Sequence, residues 1–252
     1  MSFVKFVENI GSRVINYSFA TYDFLVFLLK CIGNMFLPSN YTKSSKIILI
    51  KQIYLSCIVN LFSFIFSALF LGSVIIVIAI TFAINFNLLD QIGDLLVLLI
   101  INEFSPFFTT LFFTFAYSLS LEEKIYNIKK SKNDLENKVY IPNLINALVI
   151  VPLMALLFGI IMIISGYIVS SLYLNIDLIT YKNLIINSIS FENILVLLIK
   201  GSIFGFFSVL IPIYSGHIKK SKYNISKSVI KNLIIILSML ILIELLSMIV
   251  LY

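Results

Sequence analysis

From Ile53 to Leu89 the chain carries no charged residue. A helix needs roughly 20 apolar residues to cross a bilayer, and inside hydrocarbon only a helix or a closed barrel satisfies its own backbone polar groups. The run is too long for one upright helix and too short for two. It predicts a tilted helix over about Ile53–Ala79, followed by a short apolar segment on the far side. Asp90 and Asp94 then mark a return to water.

Four more apolar runs follow. They predict crossings over about Leu95–Leu121, Ile141–Leu174, Ile194–Tyr214 and Leu233–Tyr252. The third opens with Pro142 at a favourable first-turn position and holds Pro152 inside; the fourth holds Pro212. The 252 residues are 60% hydrophobic and 12% charged, with a mean hydropathy of +1.08. That balance excludes an ordinary soluble domain. Residues 1–42 are apolar too, but Lys5, Glu8, Arg13, Asp23 and Lys30 interrupt them, which is not the layout of a signal peptide. Phe3, Phe6, Val7, Ile10 and Val14 recur at helical spacing, and a second run covers Phe24–Leu29. These predict helices lying in the membrane interface, ended by a break at Pro38 and Ser39-Asn40. The fold expected is an all-α integral membrane protein: interfacial N-terminal helices over 1–42, then a five-span core over 53–252, in one domain covering 1–252.

Loop charge sets the orientation. The segments 43–51, 122–138 and 217–231 hold three, five and five lysines, whereas the opposite loops 80–94 and 175–193 hold only Lys182. The positive-inside rule makes the lysine-rich loops cytoplasmic, with the N-terminus inside and the C-terminus outside. With Lys5 and Lys30, fifteen lysines, out of eighteen basic residues in all, then lie on one side. The net charge of +6 is therefore read as topology and contact with anionic headgroups, not as affinity for nucleic acid.

Three ionisable residues break the apolar spans. A charge near the bilayer centre costs on the order of 2.5–3.5 kcal/mol even on the lenient insertion scale. Glu103 lies nine residues inside Asp94, Lys200 eight inside Glu192, and Glu244 eight before Tyr252. At about 1.5 Å per residue this puts all three roughly 12–14 Å below the outer boundary. They are expected to meet in one layer, as a salt bridge that locks the bundle or as a polar patch lining a cavity. Pro106, one turn after Glu103, frees backbone groups and predicts a kink or unwinding there.

The stretch Glu122–Lys138 has Ile125, Ile128, Leu135 and Val139 at helical spacing, which fits either a docking helix for a partner or a solvated loop. His217, the sole histidine, falls at a helix end. Cys31 and Cys57 lie in apolar surroundings and are read as unpaired thiols, without disulfide or metal. No phosphate-loop, zinc or nucleophile-elbow signature occurs, so no catalytic residue and no cofactor is assigned.

From Lys51 onward the chain resembles the MlaE (YrbE) family, the permease subunits of ABC-type phospholipid transporters that pair with MCE-domain proteins. Lys51-Gln52-Ile53-Tyr54 is similar to the family's R-Q-L-Y, and Ser67-Ala68-Leu69-Phe70-Leu71-Gly72 to its S-G-x-F-x-G. Asn102-Glu103-Phe104-Ser105-Pro106 falls where the family has R-E-L-G-P, and Glu123-Lys124-Ile125 where it has E-Q-I. Gly166-Tyr167, Asn175-Ile176-Asp177, Lys200-Gly201-Ser202-Ile203-Phe204-Gly205 and Tyr214-Ser215-Gly216 follow in family order. Asn102 replaces the family arginine, and His217-Ile218-Lys219-Lys220-Ser221-Lys222 replaces a glycine-rich loop, with fewer glycines for close helix approach.

The resemblance implies a homodimer in the inner membrane, with a separate ATPase subunit inside and an MCE-domain protein outside. A cytoplasmic coupling helix at about Glu122–Lys132, carrying Glu122, Glu123, Lys124, Ile125 and Ile128, would seat on the ATPase. Glu103, Lys200, Glu244 and Pro106 would border a phospholipid cavity. An ion- or proton-coupled carrier using Glu103 and Glu244, and a non-transporting envelope scaffold, are the alternative functions.

Overall fold

The computed structural model describes residues 2–37, 41, 43–86, 89–129, 139–218 and 225–251, and among these there is no strand. Five helical stretches are long and apolar enough to cross a membrane: Leu61–Asn85, Gly93–Ile128, Ile141–Leu174, Phe191–Ile218 and Lys227–Ile249. The all-α, five-span architecture expected from hydropathy is what forms.

The N-terminal region departs from expectation in its continuity. Helix α1 runs unbroken over Ser2–Met35, where two helices were expected. No proline or turn pair separates the two apolar runs, so a nucleated helix propagates through both. Its end at Met35 precedes the expected break at Pro38–Asn40, which lies outside the described residues. Phe27 and Cys31 are buried against the bundle. The Phe27 ring lies 5.3 Å from Tyr214 and 5.4 Å from His217. Ile15, Phe19, Tyr22, Leu25 and Leu29 remain exposed, an unpartnered apolar face along the same helix.

The first crossing begins later than expected. Helix α2, Lys43–Ile53, carries the three lysines and widens into a π-turn over Tyr54–Ile58. Asn60 then leaves helical geometry (φ −103°, ψ 5°), and α3 spans Leu61–Asn85. Asparagine competes with the helix for backbone hydrogen bonds, so a break there is chemically favoured. The span thus covers 61–85, in place of 53–79, and absorbs most of the apolar segment expected beyond it.

The second crossing is one composite rod. It comprises α4 (Leu89–Val97), a π segment (Leu98–Phe104), α5 (Ser105–Phe113), a second π segment (Thr114–Ser118) and α6 (Leu119–Lys129). The helical part of the Glu122–Lys138 stretch is therefore the tail of this span; 130–138, with Leu135, lie outside the described residues. Helix α7, Ile141–Leu174, has the expected bounds, continues through Pro152, and stops at Asn175 in the left-handed region (φ 53°).

The following loop contains a short helix, α8 (Leu178–Leu184), capped by Asp177. The Thr180 hydroxyl and amide hold the Asp177 carboxyl below the usual carboxylate range. Helices α9 (Phe191–Ile218) and α10 (Ile225–Leu251) complete the chain, each starting earlier than expected. Lys227 and Lys231 thus belong to α10, while Lys219, Lys220 and Lys222 lie outside the described residues.

Helix α7 is the centre of the bundle, packed by α3 on one side and α9 on the other. Apolar side chains in lipid gain little from meeting each other, so close backbone approach and polar pairing must hold such helices together. Both are present. A Cβ at Gly72 would lie 2.4 Å from the Met162 Cα, and one at Gly205 would lie 2.7 Å from the Ala147 carbonyl oxygen. Though glycines are few, these two stand where helices touch. Buried Asn143 accepts from the Tyr117 hydroxyl, and Asn146 Nδ2 donates to Ser56 Oγ at 3.0 Å.

Gly72→Ala is expected to cost about 2 kcal/mol, because the methyl group meets rigid backbone. Gly33→Ala, where a Cβ meets nothing within 4 Å, should be neutral or slightly stabilising. Thermal unfolding of both variants in detergent checks this; equal losses would contradict the packing account.

Candidate functional site

The composite second span creates the site through one missing proton. In a regular helix the residue-106 N–H would bond the Asn102 carbonyl, but Pro106 has none to give. Just before it, the helix widens over Leu98–Phe104. The Ser105 backbone N–H bonds the Ile100 carbonyl, and Ser105 Oγ donates to the same oxygen at 2.7 Å. The Asn102 carbonyl, so freed, accepts from Lys200 Nζ at 3.0 Å. The unwinding expected at Pro106 thus takes the form of a π segment, a feature that recurs at functional sites.

Lys200 comes from α9. A Cβ on the next residue, Gly201, would lie 3.0 Å from the Pro152 Cα, so α9 lies hard against α7 there. The lysine side chain, only 4% exposed, meets the carboxylates of two other helices. Nζ lies 2.6 Å from Glu103 Oε2 and 3.0 Å from Glu244 Oε2. The convergence expected from depth alone is therefore present: three spans bring three ionisable groups to one point. Asn102, the residue before Glu103, donates through Nδ2 to Asn193 Oδ1 at 3.2 Å, again joining the second and fourth spans.

Such a cluster is stable only as a set. Removing an ion from water costs several kcal/mol, and attraction within the cluster offsets this when the geometry is good. With all three groups ionised the formal charge is −1. Glu103 Oε1 is buried without a hydrogen-bond partner, and Glu244 Oε2, though at ion-pair distance, lacks hydrogen-bond geometry.

Helix α10 reaches the cluster through one stripe. Asn232, Ile236 and Leu240 are buried at four-residue spacing, and Glu244 is the next member. At the other end of the stripe, Asn232 Nδ2 donates to Glu122 Oε2 at 2.7 Å. Glu122 and Ile125 are fully buried. A Cβ at Gly216 would lie 2.8 Å from the Glu122 carbonyl oxygen and 3.1 Å from Ile125 Cβ. Of the five residues assigned to the coupling segment, Glu122 and Ile125 therefore face the interior of this chain. Ile128 is half-buried, and Glu123 and Lys124 are exposed. Sequence reasoning missed Asn232. Its signal was an amide on an apolar helix, twelve residues before Glu244 and in phase with it.

The remaining candidates do not converge on the cluster. His217 Nδ1 lies 2.9 Å from the Tyr140 hydroxyl, in the aromatic seat of α1. Cys31 and Cys57 lie on separate elements and are not joined in a disulfide.

Lys200→Met should destabilise the protein by about 3–5 kcal/mol, because it strands two carboxylates in an apolar site. Adding Glu103→Gln is expected to restore part of the loss, as read by thermal unfolding; an additive double variant would contradict the pairing. Asn232→Ala should cost about 1.5–3 kcal/mol through the hydrogen bond to buried Glu122. Ser238→Ala, exposed on the same helix, should stay within about 0.5 kcal/mol.

A family profile described as permease MlaE matches residues 49–250. No curated protein matches the chain. The profile covers most of the sequence and all five apolar spans, including the three that supply the ion cluster. The chain is therefore a multi-pass membrane protein belonging to the MlaE family of transporter permeases.

Proposed function

We propose that this chain is the membrane subunit of an ABC-type phospholipid transporter, working as a homodimer with a separate ATPase and an MCE-domain protein. The observation that carries the reading is the ion cluster of Glu103, Lys200 and Glu244, buried in otherwise apolar spans. Ionisable groups inside membrane spans are rare because they are costly, and substrate pathways are among the sites they mark. A phospholipid needs both things that these spans offer, apolar surface for its tails and a polar station for its headgroup. Glu103, Lys200 and Glu244 would contact or gate the headgroup, and Pro106 would keep the backbone open beside it.

Lysine placement supports an orientation in the inner membrane with the N-terminus cytoplasmic and the C-terminus outside. The exposed apolar face of α1 suits an interfacial position. The tail of the second span then emerges on the cytoplasmic side, where Glu123, Lys124 and the outer edge of Ile128 would meet the ATPase. Buried Glu122 and Ile125 would brace that tail from within. The whole chain would act as one permease domain, with α1 as its interfacial part.

Co-purification should recover an ATPase and an MCE-domain protein together with bound phospholipid; recovering neither partner would sink the reading. Charge reversal at both Glu123 and Lys124 is expected to weaken ATPase association about tenfold, roughly 1.4 kcal/mol, with thermal stability unchanged. Transport that persists in vesicles without any ATPase would instead favour a carrier relaying protons through Glu103 and Glu244.

A further inference from the structure

Away from the ion cluster, at the lysine-rich end of the bundle, α2 packs along the first turns of α7. A groove of about 260 Å³ runs between them, walled by Tyr41, Lys46, Ile50, Ile141, Pro142 and Ile145. Its level in the membrane follows from the length of α7. A helix of 34 residues measures about 51 Å, more than the roughly 40–45 Å of a bilayer with its headgroups, even at a tilt of about 20°. The first turn of α7 therefore stands among headgroups and the upper ends of acyl chains.

The groove is polarised in the direction of the spans. Asn146 Nδ2 donates to Ser56 Oγ at 3.0 Å, so α2 and α7 enter the bundle side by side and in the same sense. Lys46 lies one turn nearer water than Ile50, and Ile141 one turn nearer than Ile145. Lys43, Lys46 and Ile50 follow at spacings of three and four residues, so they share one face of α2. All three are exposed. The groove thus has a cationic mouth and an apolar floor. Helix α2 carries no acidic residue, and among the described residues no carboxylate pairs with Lys43 or Lys46.

We propose that this groove holds an anionic phospholipid of the leaflet at the lysine-rich end, with its phosphate on Lys43 and Lys46 and one acyl chain running past Ile50 and Ile145. Two ammonium groups before an apolar slot match the two ends of such a lipid, and basic pockets between spans recruit anionic headgroups in this way. A zwitterionic lipid brings its own cation to the same mouth and gains less there. The bound lipid fastens α2 to α7 from outside. The site shares no residue with the ion cluster, and it needs only that the chain spans a membrane, not that it transports.

The test uses the full chain in nanodiscs of equimolar phosphatidylglycerol, phosphatidylethanolamine and phosphatidylcholine. Lipid retained after mild detergent extraction is quantified by mass spectrometry. Phosphatidylglycerol should be enriched about tenfold over phosphatidylcholine, the scale of two partly screened lysines beside an anionic headgroup. Lys43→Gln with Lys46→Gln should bring that ratio close to one. Lys227→Gln with Lys231→Gln, an equal charge change at exposed α10 positions of the same end, should leave it within about twofold. Ile145→Trp, which fills the groove, should lower it about fivefold with all four lysines in place. A flat lipid profile, or an enrichment that survives the Lys43 and Lys46 changes, would overturn the proposal. So would equal losses from the two lysine pairs, which mean diffuse charge. Full enrichment in Ile145→Trp would do so too, since it means headgroup contact without the groove. Release of a co-purified polypeptide by Ile145→Trp, in place of lipid, would assign the groove to a protein and overturn the lipid assignment.

Discussion

A lysine ammonium in the middle of an apolar bundle admits few surroundings, and much of this structure follows from supplying them. Lys200 needs acceptors and countercharge within about 3 Å, and its own helix offers neither. The second span supplies a carboxylate and a carbonyl, and the last span a second carboxylate. Each contribution constrains the helix that makes it. The second span must break its hydrogen-bond ladder, the fourth must approach α7 closely enough to aim the lysine, and the last must present Glu244 in phase with its buried stripe.

Those demands explain residues that look unrelated in the sequence. Pro106 withholds one N–H and leaves a carbonyl for the lysine. Ser105 covers the Ile100 carbonyl in the widened turn before it. Gly201 lets α9 reach the Pro152 backbone. Thr110 and Thr114, one and two turns further on, donate back to the carbonyls of Pro106 and Thr110, each at 2.7 Å. Such bonds bend helices, and here they run through α5 and reach the first residue of the second π segment. The irregular span is thus a device for facing inward at several depths, which a straight rod of one periodicity would not do.

The spans and the ion cluster were legible in the sequence because both depend on depth, and depth is counted along a helix at a constant rise. The register of the third span came out to the residue because Pro142 and Asn175 punctuate it chemically. The start of the first span did not. Asn60 reads as one polar residue in an apolar run, and its preference against the helix interior is too small to single it out from residues that stay helical. The unbroken α1 was missed for the opposite reason: scattered charges look like interruptions in hydropathy, yet lysine, glutamate and arginine are good helix formers. Glu122 was the least legible residue. Its place in a charged stretch suggests solvent, and only the crossing of α6 by α9 and α10 shows that it points inward.

The buried side of Glu122 changes how movement at one end of the molecule would reach the other. Helix α10 has a mostly exposed surface and is fastened along one stripe, by Asn232 to Glu122 and by Glu244 to Lys200. Glu122 belongs to the same continuous rod as Glu103, the other partner of Lys200. The last span is therefore clasped at two heights to elements fixed by the second. The two clasps lie twelve residues apart, about 18 Å along the helix. The two clasps differ in kind: Asn232 and Glu122 share a hydrogen bond between a neutral amide and a carboxylate, whereas Glu244 meets Lys200 as an ion pair at 3.0 Å.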